Sequence, residues 1–337
     1  MFCVEATRTV TRTRNTGSLR FRRLLARHVA AAALTLCGLA GSARAGGMPY
    51  DLFDRLRKTP LEIGGGRVEV AFATDEGPHF RESVLAWISN AARAVATYYG
   101  RLPVEHVRVL VLPNAGSRIG PATTFGYGGA AIKVSVGSET AADAFADDWV
   151  MTHEMVHLAL PEVGDQHDWL SEGLATYVEP LGRAQAGQIP AERVWADLVW
   201  GLPHGLPERG DRGLDHTPTW GRTYWGGALF CLVADLEIRK RTANRKGLQD
   251  ALRAVVAAGG NVEARWPIER VLETGDRATG VRELRELYAR MKATPVAVDL
   301  KDLWRKLGVR GEGRRLVLDD SAPLVEIRRA IVRGRSD

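Results

Sequence analysis

The sequence predicts an α+β fold in which a strand-rich N-terminal half precedes a mainly helical C-terminal half. Short β-branched segments bounded by turn residues occur before residue 137, and apolar residues recur at helical spacing after residue 160. No internal repeat or low-complexity linker interrupts the sequence. The residues after position 45 are sufficient for one sizeable core, at the upper end of the size of a single domain.

The N-terminal half is expected to form a sheet with a helix packed on it. Its predicted strands are 68–72, 107–112 and 131–136, and its predicted helices are 81–99 and 141–160. The first helix has an apolar stripe that consists of Val84, Ile88, Ala91, Ala92 and Val95. Pro161 and Gly164 end the second helix.

The C-terminal half is expected to be helical until a closing β-hairpin. Its predicted helices are 169–182, 190–200, 223–242, 246–258, 265–273, 279–292 and 299–306. Segments 316–318 and 324–332 flank an Asp-Asp-Ser-Ala-Pro turn and predict the hairpin. Residues 201–221, rich in glycine and proline, form the longest predicted loop, and loops of such length are often lids or binding loops.

The most informative motif is His153-Glu154-Met155-Val156-His157. On a helix, His153 and His157 lie one turn apart on the same face, so both imidazoles can bind one ion. Glu172 on the next helix offers a third ligand, which completes a two-His, one-Glu zinc site with an open fourth position. Glu154 projects beside this site, where it can take a proton from the attacking water. The alternative is two histidines whose hydrogen bonds are satisfied within a helix.

Around these residues the chain resembles the gluzincin clan of zinc peptidases, and most closely its small bacterial peptidase-MA-like domains. The clan's Trp-Leu-x-Glu-Gly-x-Ala-x-Tyr-x-Glu pattern is met at Trp169, Leu170, Glu172, Gly173, Ala175, Tyr177 and Glu179. The matching segments cover roughly residues 120–245. The resemblance implies a zincin-like metallopeptidase fold with a small mixed sheet beside the zinc helix. It also implies one zinc ion per chain and a peptide or protein substrate.

Two further residues are candidates for the site, one from the resemblance and one from helical spacing. The segment from Thr223 to Leu229 is similar to the clan's Tyr-x-x-Gly-Ala segment, whose tyrosine stabilises the oxyanion, so Tyr224 is the corresponding residue. Packing at the start of a helix is the alternative role for Tyr224. Glu179 lies seven residues beyond Glu172 on the same helix face, where it can orient a ligand histidine by a hydrogen bond. The alternative is that Glu179 is a solvated surface carboxylate with no role in the site.

One departure from the clan pattern concerns the substrate's amino terminus. Clan aminopeptidases have a Gly-x-Met-Glu-Asn strand whose glutamate binds the free amino group, whereas here the stretch is Gly128-Gly129-Ala130-Ala131-Ile132. The missing acid favours an endopeptidase over an aminopeptidase. Gly128, Gly129 and Ala130 suit the close approach of a substrate backbone, and the edge of strand 131–136 could pair with it. A plain core strand after a turn is the alternative.

The N-terminus predicts export to the periplasm or secretion. Basic residues precede a short apolar run, Val29–Ala40, and Ala43-Arg44-Ala45 resembles a signal-peptidase site. We therefore expect three regions: a signal peptide (1–45), a strand-rich subdomain with the His-Glu-x-x-His helix (46–160), and a mainly helical subdomain with the Glu ligand and the hairpin (161–337). The apolar run is too short to span a bilayer, so no stable membrane span is expected after cleavage.

Charge and cysteine content also depend on this leader. Residues 1–45 hold eight Arg and one Glu, a net charge of +7, whereas the whole chain has +6, so the remainder has −1. Without the leader the main support for nucleic-acid binding is lost. Cys231 is then the single cysteine, which excludes an intramolecular disulfide.

Together these features predict an exported zinc-dependent peptidase that acts on peptides or proteins. The alternative is a non-catalytic, zinc-containing peptidase-like domain that binds a protein or cell-envelope partner. Glu154 distinguishes the two, because a purely structural zinc site does not need a base beside an open coordination position.

Overall fold

A five-stranded mixed sheet forms in the N-terminal half of the computed structural model, which describes residues 46–311 and 313–334. The strands are β1 (Lys58–Ile63), β2 (Gly66–Phe72), β3 (His106–Asn114), β4 (Ile119–Phe125) and β5 (Ala131–Gly137). Their order in the sheet is β1-β2-β3-β5-β4. The central pairs β2–β3 and β3–β5 are parallel, whereas β1 and β4 are antiparallel edge strands.

The two edge strands are the ones that the sequence did not predict. Strand β1 contains Pro60 and strand β4 contains Pro121, and neither has a continuous apolar run. Proline cannot donate a hydrogen bond to the ladder, so within sheets it occurs on edge strands. The predicted strands 68–72, 107–112 and 131–136 correspond to the three buried strands β2, β3 and β5.

Helices cover both faces of this sheet. Helix α1 (Tyr50–Arg55) places Phe53 in a small cluster with Ala71, Leu110 and Ala131. Helix α2 (Pro78–Tyr99) packs on the opposite face, and all five residues of its predicted apolar stripe are buried. The main hydrophobic core continues from that face into the helical half, and the described residues from Met48 onward form one compact unit.

The remaining elements are mainly helical. In chain order they are α3 (Ala142–Asp147), α4 (Val150–His157), α5 (Asp168–Gln185), α6 (Ala191–Gly201), a π-helical segment (Gly221–Gly226), α7 (Gly227–Arg241), α8 (Leu248–Ala257), α9 (Ile268–Thr279), α10 (Glu283–Met291), α11 (Leu300–Leu307), β6 (Val309–Arg310), β7 (Val317–Leu318) and α12 (Val325–Arg333). Short 3-10 turns occur at Asp165–His167, Leu202–Gly205, Leu214–His216 and Gly313–Arg315. The mixed sheet and helical remainder confirm the predicted fold class.

Two expectations about individual elements were wrong. The helix predicted over 141–160 is two helices, because Asp148 is extended and interrupts it between α3 and α4. The predicted closing hairpin is also wrong, since residues 325–333 form α12 and β7 pairs with β6 instead. The β-branched residues at 325–332 suggested a strand, but Ile327 and Ile331 are four residues apart and bury one helical face.

The predicted signal peptide, residues 1–45, lies outside the described residues. Among the helices of residues 46–311 and 313–334, none is both long enough and apolar enough to cross a membrane.

Candidate metal centre

Helix α4 places the two histidines of the motif side by side. The rings of His153 and His157 have centroids 4.9 Å apart, and Nε2 of each histidine faces the Oε2 atom of Glu172. The two nitrogen–oxygen distances are 3.2 Å for His153 and 3.6 Å for His157. The predicted spacing of one helical turn therefore brings both imidazoles to one point.

The carboxylate of Asp148, which is half-buried, lies at the start of α4. Oδ2 of Asp148 accepts hydrogen bonds from the backbone N–H of Met151 at 3.2 Å and from Nε1 of Trp87 at 2.9 Å. The first bond satisfies an N–H at the helix start, and the second joins that start to α2. Burial raises the pKa of Asp148 to about 6, even though these bonds favour the carboxylate.

The geometry of the three side chains fits a zinc-sized ion. One potential ligand atom from each of His153, His157 and Glu172 lies within 4.8 Å of the other two. Ligands about 2.0–2.2 Å from a tetrahedral zinc are separated by about 3.4 Å, close to the two observed nitrogen–oxygen distances. Three ligands also leave the fourth tetrahedral position open to water or substrate.

Electrostatics around these residues favour a bound cation. Burial alone would lower the pKa of His157, but the adjacent Glu172 carboxylate raises it to about 9. Burial opposes ionisation of Glu172, and the two histidines nevertheless hold its pKa well below the usual range. A cation that binds both imidazoles must displace a proton from this site, so metal binding competes with protons.

Ser171 is a residue of the site that the sequence did not identify. Its Oγ lies 3.0 Å from Nδ1 of His157. If Nδ1–H donates to this hydroxyl, the lone pair of Nε2 is left free to bind the metal, which is how such partners select a tautomer. Its position immediately before Glu172 was the available indication, but serine is too common for that to be decisive.

Glu154 lies beside the three potential ligands and is held by strand β4. The hydroxyl of Thr124 lies 2.7 Å from Oε2 of Glu154 and 2.8 Å from its backbone oxygen. The single hydroxyl hydrogen can be donated to one of these oxygens at a time. The edge strand of the sheet therefore orients the predicted base, and no local sequence pattern indicated Thr124.

The strand next to the site is β4, not the strand predicted at 131–136. Strand β5 is paired with β3 on one side and with β4 on the other, so neither of its edges is free for a substrate. The expectation that its edge pairs with substrate was therefore wrong. The physical reason is that β4 takes the outer position in the sheet. The sequence did not predict β4 because it lies in a segment rich in glycine and proline.

Gly128, Gly129 and Ala130 lie in the turn between β4 and β5. Gly128 and Gly129 have φ values of +69° and +97°, which favour glycine. The backbone oxygen of Gly128 accepts a hydrogen bond from Arg108, and the N–H of Ala130 donates to Oε1 of Glu263 at 2.8 Å. These backbone groups are therefore bonded within the fold, and their contact with a substrate stays a prediction.

Tyr224 lies on the π-helical segment, next to the first histidine. Its ring is stacked on that of His153, with centroids 6.3 Å apart and an interplanar angle of 20°. π-helical turns inside longer helices are rare and frequently occur at functional sites. The segment therefore places the Tyr224 ring next to His153, and its role towards the oxyanion stays a prediction.

Two glycines allow the helix that carries Glu172 to pack closely against α7, which directly follows the segment that carries Tyr224. A Cβ on Gly227 would come within 1.9 Å of the backbone oxygen of Trp169, and one on Gly173 would come within 2.3 Å of Gly227 backbone atoms. Helices α5 and α7 therefore touch backbone to backbone one residue after Glu172. This contact sets the separation between the third ligand and Tyr224.

Glu179 is buried on α5, and its hydrogen bond runs to Arg183 rather than to either histidine. Nη1 of Arg183 donates to Oε1 of Glu179 at 2.9 Å, and Nη2 donates to the backbone oxygen of Ala146 on α3 at 3.1 Å. Burial raises the pKa of Glu179 to about 7 despite the neighbouring guanidinium. The pair thus links α5 to the helix that precedes the ligand helix.

The fold resembles that of a solved aminopeptidase N family protein. The chain is similar to the aminopeptidase N family protein from Idiomarina loihiensis, with a TM-score of 0.58 and 14% sequence identity; the match covers 76% of this chain and 49% of that protein. It is also similar to the M1 zinc metallopeptidase from Deinococcus radiodurans, with a TM-score of 0.44 and 18% identity over 72% of this chain and 54% of that one.

The chain thus spans about half the length of these solved proteins. At such low identity the first likeness confirms the zincin-like fold that the sequence resemblance implied, and no more than the fold. No family model and no curated protein sequence matches the chain.

Proposed function

We propose that the chain is an exported zinc-dependent peptidase that cleaves internal bonds of peptides or proteins. The observation that carries this proposal is the convergence of His153, His157 and Glu172, with the Glu154 carboxylate beside them. Three ligands, an open position and an adjacent base are what a catalytic zinc site requires. The similarity of the fold to that of the aminopeptidase N family protein from Idiomarina loihiensis supports the same assignment.

Nε2 of His153, Nε2 of His157 and the Glu172 carboxylate would hold the ion. When bound, zinc supplies a Lewis acid that polarises a carbonyl and lowers the pKa of water. Ser171 holds the His157 ring in the orientation that this requires. The donor set of two imidazoles and one carboxylate suits zinc better than calcium or magnesium, which prefer oxygen ligands.

Glu154 acts as the general base. Its carboxylate accepts a proton from the attacking water and then delivers it to the leaving amine. Thr124 keeps the carboxylate in position from the edge strand. Tyr224, stacked on His153, supplies a hydroxyl donor for the oxyanion that forms when the peptide carbonyl is attacked.

The outer edge of strand β4 can bind an extended peptide substrate. Its outer edge has no partner strand within the described residues, and its inner face contacts the base through Thr124. An extended peptide that adds to this edge would pass directly beside Glu154. The sequence of β4, Ile-Gly-Pro-Ala-Thr-Thr-Phe, contains no carboxylate that could bind a free amino terminus. This absence favours cleavage of internal bonds.

Export rests on the sequence of the leader. A basic segment, a short apolar run and an Ala-Arg-Ala site before Gly46 together are typical of a secretory signal peptide. We therefore propose that the protein acts in the periplasm or outside the cell.

The decisive experiment measures zinc content and peptide cleavage of protein purified after expression of the full chain. We expect about one zinc per chain by the ligand count, and cleavage within N-acetylated peptides, whose blocked amino termini resist aminopeptidases. H153A combined with H157A should remove the zinc. E154Q should retain the zinc and the fold but lose cleavage.

Zinc that is absent, or that is unchanged in H153A/H157A, would exclude the metal site. Zinc-loaded wild-type protein that cleaves no peptide in a diverse library would favour the alternative, a non-catalytic domain that binds a protein or cell-envelope partner. Cleavage restricted to peptides with free amino termini would instead assign an aminopeptidase.

A further inference from the structure

A row of aromatic rings leads from the metal centre to the surface of the molecule. It consists of Tyr224, Trp220, His204 and Trp200, and we call it the aromatic row. Tyr224 is stacked on His153, and Trp220 lies 6.5 Å from Tyr224, centroid to centroid. His204 follows at 5.6 Å from Trp220, and Trp200 at 5.1 Å from His204.

The outer end of the aromatic row is accessible. The side chain of Trp200 is 43% exposed, His204 is exposed, and Trp220 is half-buried. Large exposed aromatic rings are unusual on protein surfaces, and contiguous apolar patches often mark binding sites. The aromatic row continues without a gap from the candidate metal centre. We therefore expect a molecule that binds to the row to be the substrate that also reaches the metal centre.

The segments that carry the aromatic row are fixed by buried contacts on their inner side. Arg222, between Trp220 and Tyr224, forms a buried ion pair with Asp211, with Nε and Oδ2 2.7 Å apart and both side chains at most 3% exposed. Arg222 also donates to the backbone oxygen of Gly205. A Cβ on Gly201 would come within 2.0 Å of the Trp225 ring, so the turn that carries His204 packs directly on the π-helical segment.

We infer that the aromatic row is a substrate subsite for bulky apolar side chains, aromatic ones above all. The inference rests on the proposed peptidase function and adds its substrate class. The ring of Tyr224 lies between His153 and Trp220, with its centroid 6.3 Å from that of His153 and 6.5 Å from that of Trp220. Since an extended peptide advances about 3.3–3.6 Å per residue, Trp220 lies within about four residues of the bond to be cleaved.

The rings of the aromatic row can make favourable contacts with an aromatic side chain of a substrate. Aromatic pairs prefer tilted or edge-to-face contacts with centroids about 4.5–7 Å apart, and the exposed edges and faces of these rings offer that geometry to one more ring. The segments that carry the row are fixed by glycine contacts and the Arg222–Asp211 pair, so little ordering free energy opposes binding.

The test uses short N-acetylated, amidated Ala-Gly peptides through which a single Phe is scanned. In the full protein, kcat/KM for the best Phe position should exceed that for the Phe-free peptide by about 10- to 100-fold, the ratio expected for burial of an aromatic side chain. W220A should reduce this ratio towards one, W200A should reduce it less, and W220F should retain most of it. V317A, which removes an exposed apolar side chain elsewhere, should leave the ratio unchanged.

Binding to E154Q separates this inference from the proposed function. If the wild type cleaves nothing but E154Q binds the Phe peptide more tightly than the Phe-free one, and W220A abolishes the difference, the subsite stands and the peptidase function fails. If the wild type cleaves both peptides equally, the subsite fails and the peptidase function stands. Binding of chito-oligosaccharide that depends on Trp220, without a Phe preference, would also overturn the inference.

Discussion

The hydroxyl of Thr124 lies 2.7 Å from Oε2 of Glu154, which joins the edge strand of the sheet to the candidate general base. The two residues are 30 positions apart in the sequence, and each lies on a different element. A hydrogen bond to a carboxylate is about twice as strong as one between neutral groups, so this contact has a substantial effect on the position of the base.

T124V should lower turnover by about 10- to 100-fold, the loss that corresponds to about 1.5–3 kcal/mol for a hydrogen bond to a charged group. Zinc content and KM should change little, because Thr124 orients the base rather than the metal ligands. T124S keeps the hydroxyl and is the matched control. Steady-state kinetics of the three proteins check the prediction, and wild-type turnover in T124V would show that Glu154 does not need this bond.

S171A should weaken zinc binding by about 10- to 100-fold, the usual effect of removing a hydrogen-bond partner of a metal-binding histidine. The physical reason is that Nδ1–H of His157 loses its acceptor, so ring orientation and tautomer are no longer selected. Competition with a chromophoric chelator measures the affinity. S171T retains a hydroxyl and should bind zinc nearly as the wild type does; equal affinities for S171A and the wild type would contradict the prediction.

Y224F should lower kcat by about 10²–10³, the range for loss of one oxyanion donor, while KM and zinc content stay near the wild-type values. The phenylalanine ring can keep the stacking on His153, so the fold should be unaffected. Y224A tests the alternative packing role, in which the phenylalanine variant is active and only the alanine variant loses stability. Thermal unfolding and kinetics of both variants distinguish the two roles.

G227A should destabilise the protein by about 1–3 kcal/mol, as overpacking of a core does. In an ordinary helix interior the same substitution gains about 0.5–1 kcal/mol, so the sign of the change is diagnostic. The new methyl group would lie within 1.9 Å of the Trp169 oxygen and push α7 away from α5. Urea unfolding measures the effect, and a stabilised variant would refute the close contact.

E179Q should remove a pH dependence of stability. Burial raises the pKa of Glu179 in the folded protein to about 7, above its ordinary value of 4.5. Between these two values the unfolded chain has released a proton that the folded chain still holds, so the free energy of unfolding falls as pH rises. From pH 5 to pH 8 the loss should be about 2 kcal/mol.

Urea unfolding of the wild type and E179Q at both pH values isolates this contribution, because other titrating groups are common to both proteins. The wild type should lose more stability than E179Q as pH rises. Equal losses would mean that Glu179 remains ionised throughout, fully compensated by Arg183.

The elements predicted correctly are those whose residues repeat a local pattern. The apolar stripe of α2 has helical spacing, and β2, β3 and β5 are runs in which valine or isoleucine recurs at every second position, as expected of strands with a buried face. Strands β1 and β4 lack such runs, since an edge strand half in contact with water has no need of them. The residues at 325–332 were mistaken for a strand because β-branched residues are compatible with a buried helix face once tertiary packing selects it.

The sequence by itself determined that His153 and His157 can bind one ion, because helical geometry places them one turn apart whatever surrounds them. It also indicated the Glu172 helix, whose apolar periodicity is local. Only the tertiary structure decided which strand lies against the base, that Thr124 and Ser171 complete the site, and that the aromatic row leads away from it. These contacts join residues on different elements, and their distances depend on strand order and helix crossing, which no local spacing specifies.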